Sequence, residues 1–144
     1  MSITVHATQW IHFQIKLYNL HSKTRSLKDQ KLELPLPEFH QNLIIFASAA
    51  HHGLTFGYQA IQWDTPYTSC PIYIEHQSIP WSTLERRSHK HITEHITAIF
   101  LETMFYRQSQ FKQCQFCFEF IIPESLFDHT TCQNCASRHF GVVY

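Results

Sequence analysis

From Ile11 to Tyr18 apolar and polar residues alternate one by one: Ile11, Phe13, Ile15 and Leu17 against His12, Gln14, Lys16 and Tyr18. A period of two puts every second side chain on one face, so the segment reads as a half-buried strand. Ile3, Val5 and Ala7 carry the same alternation toward the N-terminus. Leu32, Leu34 and Leu36 repeat it, and Pro35, which has no N–H, marks an edge or a strand end. A polar stretch from Ser22 to Gln30 joins the two, which gives a hairpin with a long connection. Between Pro37 and His52 the spacing changes. Phe39, Leu43, Phe46 and Ala50 recur every three or four residues, Pro37 and Glu38 suit a first helical turn, and Gly53 suits an end. This segment predicts a helix.

Leu54, Phe56, Tyr58 and Ala60 return to alternation and run toward Trp63 as a third strand. Asp64-Thr65-Pro66-Tyr67 marks a turn, and Ile72-Tyr73-Ile74 a short fourth strand. Ser82-Thr83-Leu84-Glu85 has the form of a capping box, in which two side chains satisfy free backbone donors. It predicts a helix from there to about Tyr106, with Ile92, Ile96, Ile99 and Met104 on its apolar stripe. The expected order is β-β-α-β-β-α, an α+β class with an antiparallel sheet and two helices on one face. Residues 1–108 form that domain, and residues 109–144 form a small cysteine module after a boundary near Arg107-Gln108-Ser109-Gln110.

Composition narrows the function classes. The 144-residue chain is 44% hydrophobic but only 15% charged, against roughly a quarter in an average domain. Its formal net charge is zero with the twelve histidines neutral, which argues against binding nucleic acid by bulk electrostatics. The N-terminus lacks the basic head and apolar run of a signal peptide. The longest apolar stretch, Leu43 to Ala47, is far too short for a bilayer span. The expectation is a cytoplasmic protein in a reducing compartment, with no membrane association. Only Gly53, Gly57 and Gly141 are present, so there is no phosphate-cradling loop, no dinucleotide fingerprint and no nucleotide cofactor to expect.

Four of the five cysteines form two pairs, Cys114-Gln-Phe-Cys117 and Cys132-Gln-Asn-Cys135, separated by fourteen residues. Each pair can turn two thiolates toward one ion, and two such turns complete a tetrahedron, which suits Zn2+ in a structural role. Iron in a four-thiolate site and redox thiols are the rivals, and His129 or His139 is near enough in sequence to replace a cysteine. The stretch from Phe111 to Tyr144 resembles the zinc-ribbon and treble-clef classes of zinc module, through its two Cys-x-x-Cys turns and the run Phe118-Glu-Phe-Ile-Ile-Pro123. It departs from them in lacking glycine after Cys117 and Cys135. Val142-Val143-Tyr144 suits a ribbon strand, and Ala136-Ser137-Arg138-His139 a helical turn. The resemblance implies a structural metal and no activity. Phe111, Phe116, Phe118, Phe120, Phe127, Phe140 and Tyr144 are more rings than so short a module can bury, so some should dock on the first domain or on a protein partner.

Other clusters weigh less. His91-Ile-Thr-Glu94-His95 matches the inverted zinc-peptidase motif, but no third ligand is in reach and twelve histidines make chance matches common. Lys23, Arg25 and Lys28 make the first hairpin basic, and Arg86, Arg87 and Lys90 form a second basic cluster that could track a phosphate backbone. A solvated surface is the ordinary reading of both. His51-His52 suits a helix C-terminus, Cys70 a buried small residue, and Trp10, Trp63 and Trp81 the core. The leading expectation is a non-enzymatic, zinc-stabilised binding protein, an accessory or regulatory subunit that meets a protein partner in a nucleic-acid-handling assembly. Direct RNA or DNA binding through the basic hairpin and a metallohydrolase built on His91, Glu94 and His95 are the alternatives.

Overall fold

The computed structural model describes residues 30–37, 39–50, 52–65 and 67–143. The strand expected at 11–18, its long connection with Lys23, Arg25 and Lys28, and His51, Pro66 and Tyr144 lie outside the described residues. Four strands form an antiparallel sheet in sequential order: β1 Gln30–Pro35, β2 Ile44–Ala49, β3 Gly53–Thr65 and β4 Thr68–Pro80. Two helices follow, α1 Trp81–Glu85 and α2 His89–Ser109. The cysteine segment holds β5 Lys112–Gln113, β6 Phe120–Ile121, a short 3-10 turn Pro123–Ser125, β7 Leu126–Asp128, β8 Thr131–Cys132 and α3 Gln133–Phe140. The α+β class with an antiparallel sheet and a C-terminal cysteine cluster is what the chain adopts.

The helix expected from Pro37 to His52 is instead a turn and a strand. Phe39 and His40 donate their N–H groups to the Leu36 carbonyl, the Leu36 N–H donates to the Leu43 carbonyl, and β2 then pairs with both β1 and β3. β2 buries Ile45, Ala47 and Ala49 on one face and Phe46 on the other, so it reads as a nearly continuous apolar run, which periodicity alone cannot tell from a buried helix. Ile44 and Ile45 are β-branched, which suits the strand that pairing with β1 and β3 imposes. Phe39, the first residue of the supposed helical stripe, is 53% exposed. Gly53 opens β3 rather than closing a helix.

The β3–β4 turn falls where the sequence places it, and the Thr65 hydroxyl oxygen accepts from the Thr68 N–H at 3.1 Å. The fourth strand is longer than expected, thirteen residues paired along most of β3. Pro71 stands opposite Ile61 on β4, an edge strand among the described residues, where a missing N–H leaves no ladder bond open. The last helix is broken in two. Ser82 lies inside α1, whose cap residue Pro80 makes no side-chain capping hydrogen bond, while Ser88 caps α2 by accepting from the His91 N–H at 3.3 Å.

Leu34, Ile45, Ala47, Leu54, Phe56 and Tyr58 line one sheet face, and Ile92, Ile96, Ile99, Phe100 and Met104 of α2 pack on it as the main core. Trp81 is buried at 2% exposure, and its indole N–H donates to the Ala50 carbonyl at 2.9 Å. On the opposite face Phe46 meets Tyr73 edge-on at 5.2 Å, and the Lys31 ammonium sits 3.4 Å from the Tyr73 ring centre. Gly57, directly across from Phe46, permits this: a Cβ there would stand 2.7 Å from the Phe46 ring and 1.9 Å from the Ile74 carbonyl oxygen. No helix among the described residues is long and apolar enough to cross a membrane.

Candidate metal centre

The cysteines are presented by two turns that different elements hold. The first spans Cys114 to Cys117 between β5 and β6, which pair antiparallel. The Cys114 N–H donates to the Glu119 carbonyl at 2.9 Å, and the Phe118 N–H to the Cys114 carbonyl at 3.0 Å. Closing so tight a turn forces Phe118 to φ +62°, the left-handed region that favours glycine. The missing glycine noted after Cys117 is therefore met by strain at Phe118, which Gln113 steadies by donating its side-chain amide to the Phe118 carbonyl at 3.0 Å.

The second turn belongs to β8 and α3. Asp128 accepts from the Thr130 N–H at 2.9 Å and so fixes the β7–β8 reversal, and this bond leads the causes that hold its carboxyl below the usual range. Cys132 then caps α3, its sulfur accepting from the Cys135 N–H at 3.5 Å, and Cys135 sits in the first helical turn. Both cysteines thus stand at the N-terminal end of the helix. Gly141 closes the helix at φ +69°. The segment after Cys132 is helical, so the strand suggested by Val142-Val143 does not form there. Gln115 ties the two turns together through its N–H to the Thr130 carbonyl at 2.7 Å and its amide to the Thr131 hydroxyl at 2.9 Å.

All four sulfurs lie within 4.8 Å of one another, and Cys117 and Cys132 are 4.0 Å apart. An ion at about 2.3 Å from each sulfur in a tetrahedron would set them about 3.8 Å apart. The thiols are free, and Cys114, Cys132 and Cys135 are buried while Cys117 is exposed. Such a donor set fits a metal ion. The thiols differ in their surroundings: burial pushes the Cys114 thiol up, but the N–H groups of Cys117, Cys132 and Phe116 outweigh it and bring it down to about 6. Burial, with the neighbouring thiols Cys132, Cys114 and Cys117, pushes Cys135 up to about 12. At Cys117 the Glu119 N–H pulls down, yet burial and the Cys114 and Cys132 thiols leave it raised. Four sulfurs this close cannot all be thiolates without a cation among them.

No histidine joins the set: His139 stacks on Phe116 at 4.0 Å, and His129 is exposed. Among the described residues these four cysteines are the one group of three or more metal-binding side chains. His91, Glu94 and His95 do share a face of α2, but Arg87 places its guanidinium 2.7 Å from His95 Nδ1, and Glu94 pairs with Lys90 at 4.0 Å. A fixed cation at that point opposes a metal there. Arg86, Arg87 and Lys90 are exposed near the start of α2. Cys70 is half-buried, and partial burial together with Asp64 raises its thiol, which disfavours nucleophilic use.

The pair that the sequence did not single out is Arg107 and Glu124. Arg107, on the boundary segment, is 1% exposed and grips Glu124 with two hydrogen bonds of 2.9 and 2.7 Å. It also donates to Gln110 and lies over the rings of Tyr58 and Phe111. Glu124 in turn accepts from the Ile61 N–H at 3.3 Å, and its carbonyl accepts from the Trp63 indole at 2.8 Å. Trp63 is thus not a core residue but a clasp, 39% exposed. A signal was present: Ile96, Phe100 and Thr103 carry the buried stripe of α2 into Arg107 at i+4. Phe111 and Ile122 join the main core, so part of the aromatic excess does dock on the sheet domain, while Phe118, Phe120, Phe127 and Phe140 stay exposed. Comparison with known families, with curated proteins and with solved structures returned no match for this chain.

Proposed function

We propose that Cys114, Cys117, Cys132 and Cys135 hold one structural Zn2+ in a treble-clef-type module spanning residues 109–144, and that the protein works without catalysis by binding another protein. Four convergent thiols within 4.8 Å carry the metal reading. The treble-clef subtype rests on the order of turn, hairpin and helix, with one ligand capping α3 and another in its first turn. A four-thiolate site has no open coordination position, so the ion orders the fold and does no chemistry. The binding reading rests on Phe118, Phe120, Phe127 and Phe140, which stay 45–69% exposed on the module. An accessory subunit of a nucleic-acid-handling assembly is the setting we favour.

The test is metal quantified in the purified 144-residue chain by native mass spectrometry. One zinc per chain is expected, lost on Cys114→Ser or Cys132→Ser and retained in His91→Ala. A metal-free chain, or zinc lost with His91, would overturn the assignment. Chelation should lower the melting temperature, and acid should release the ion as the thiolates take up protons.

A further inference from the structure

A cleft of about 380 Å3 opens between the sheet and the metal centre, lined among others by Trp63, Cys117, Glu119, Gln133, Asn134 and Arg138. Building on the zinc reading above, we propose that it receives a cationic side chain, a lysine or arginine on a basic segment of the partner protein.

Three features meet there. The Trp63 indole is 39% exposed, yet its N–H is bound to the Glu124 carbonyl, so the ring is held in one orientation with little entropy left to lose. The aromatic face attracts a cation placed over it. With the ion bound, the net charge around the cleft is negative. One Zn2+ with four thiolates carries two net negative charges, and Cys117 is the exposed residue of the four. The exposed Glu119 carboxylate adds to it, against the single cation Arg138. A phosphate would meet repulsion on this surface, while an ammonium or guanidinium would meet attraction and a π face. The cleft has room for one long side chain, and the amides of Gln133 and Asn134 supply donors and acceptors for its backbone.

The experiment uses the full zinc-loaded chain, labelled with 15N, and follows the Trp63 indole N–H by NMR. The probes are the peptide acetyl-(Gly-Lys)4-amide, its neutral counterpart acetyl-(Gly-Gln)4-amide, and octathymidylate. The lysine peptide should shift the Trp63 signal saturably and leave the buried Trp81 signal in place. Glu119→Gln, read at the Trp63 indole, and Trp63→Leu, read at the backbone amides of Gln133 and Asn134, should each weaken binding about two- to fivefold, as loss of an exposed cation–π or ion-pair contact implies. Glu119→Gln alters only an exposed side chain, so it decides alone if Trp63→Leu unfolds. Equal binding of the glutamine peptide, preferential binding of octathymidylate, or an unchanged affinity in Glu119→Gln would overturn the proposal. Zinc content is read on the same sample. A chain without zinc overturns both readings, and a zinc-loaded chain that ignores the lysine peptide overturns this one alone.

Discussion

Phe118 shows how one residue can carry strain for a site. Its left-handed backbone costs an L-residue about 1–2 kcal/mol, and its ring, 69% exposed, returns little by burial. Glycine would remove that cost, against about 0.4–1 kcal/mol of extra freedom in the unfolded chain. Phe118→Gly should therefore stabilise the protein by up to about 1 kcal/mol in urea unfolding, and a clear destabilisation would mean that the ring makes contacts worth more than the strain. That an exposed phenylalanine stands where glycine is easiest to accommodate is consistent with the ring being wanted at the surface. The Cys-x-x-Cys spacing, by contrast, was legible from the sequence, because ligands on a short turn must be near neighbours in the chain. The partners Arg107 and Glu124 are seventeen residues apart on different elements, and no local pattern links them.

Among the elements, the helix caps separate two readings of one segment. Ser82 opens a capping-box pattern, but Ser88 is the residue whose side chain accepts from a free helical N–H. Ser88→Ala should cost about 1 kcal/mol and Ser82→Ala much less, as read from paired thermal melts. Equal losses would place the working cap elsewhere. The strand β3, the turn after it and the middle of β4 were legible because alternation in β3 and the turn residues agreed with each other, while the full length of β4 was not. The segment at β2 was not. Its apolar residues satisfy both periods, and the outcome was decided by pairing with β1 and β3, which no local window contains. The break between α1 and α2 was missed for a related reason: Arg86 to Ser88 carry no glycine or proline to announce it.

For the molecule as a whole, the Arg107–Glu124 pair is the joint between the sheet domain and the cysteine segment. It is bidentate, with the arginine side chain 2% exposed and the glutamate 18%. Removing one partner leaves the other charged and poorly solvated, so Arg107→Ala should destabilise by about 3–5 kcal/mol. The replacement of both by apolar residues should recover most of that loss. Chemical denaturation of the two single variants and the double variant tests this, and additive losses would show that the pair is not coupled.

The reach of β3 past β2 has one more consequence. β2 is six residues long and β3 thirteen, so beyond Tyr58 the strand has no β2 neighbour. A row of unpaired peptide groups on a sheet margin is a template on which another chain can add a strand and begin to aggregate. Glu124 occupies that margin by taking the Ile61 N–H, and the Trp63 indole closes over the Glu124 carbonyl. Among the described residues, the C-terminal segment thereby covers part of this margin, and its hold there depends on whatever keeps the four sulfurs together.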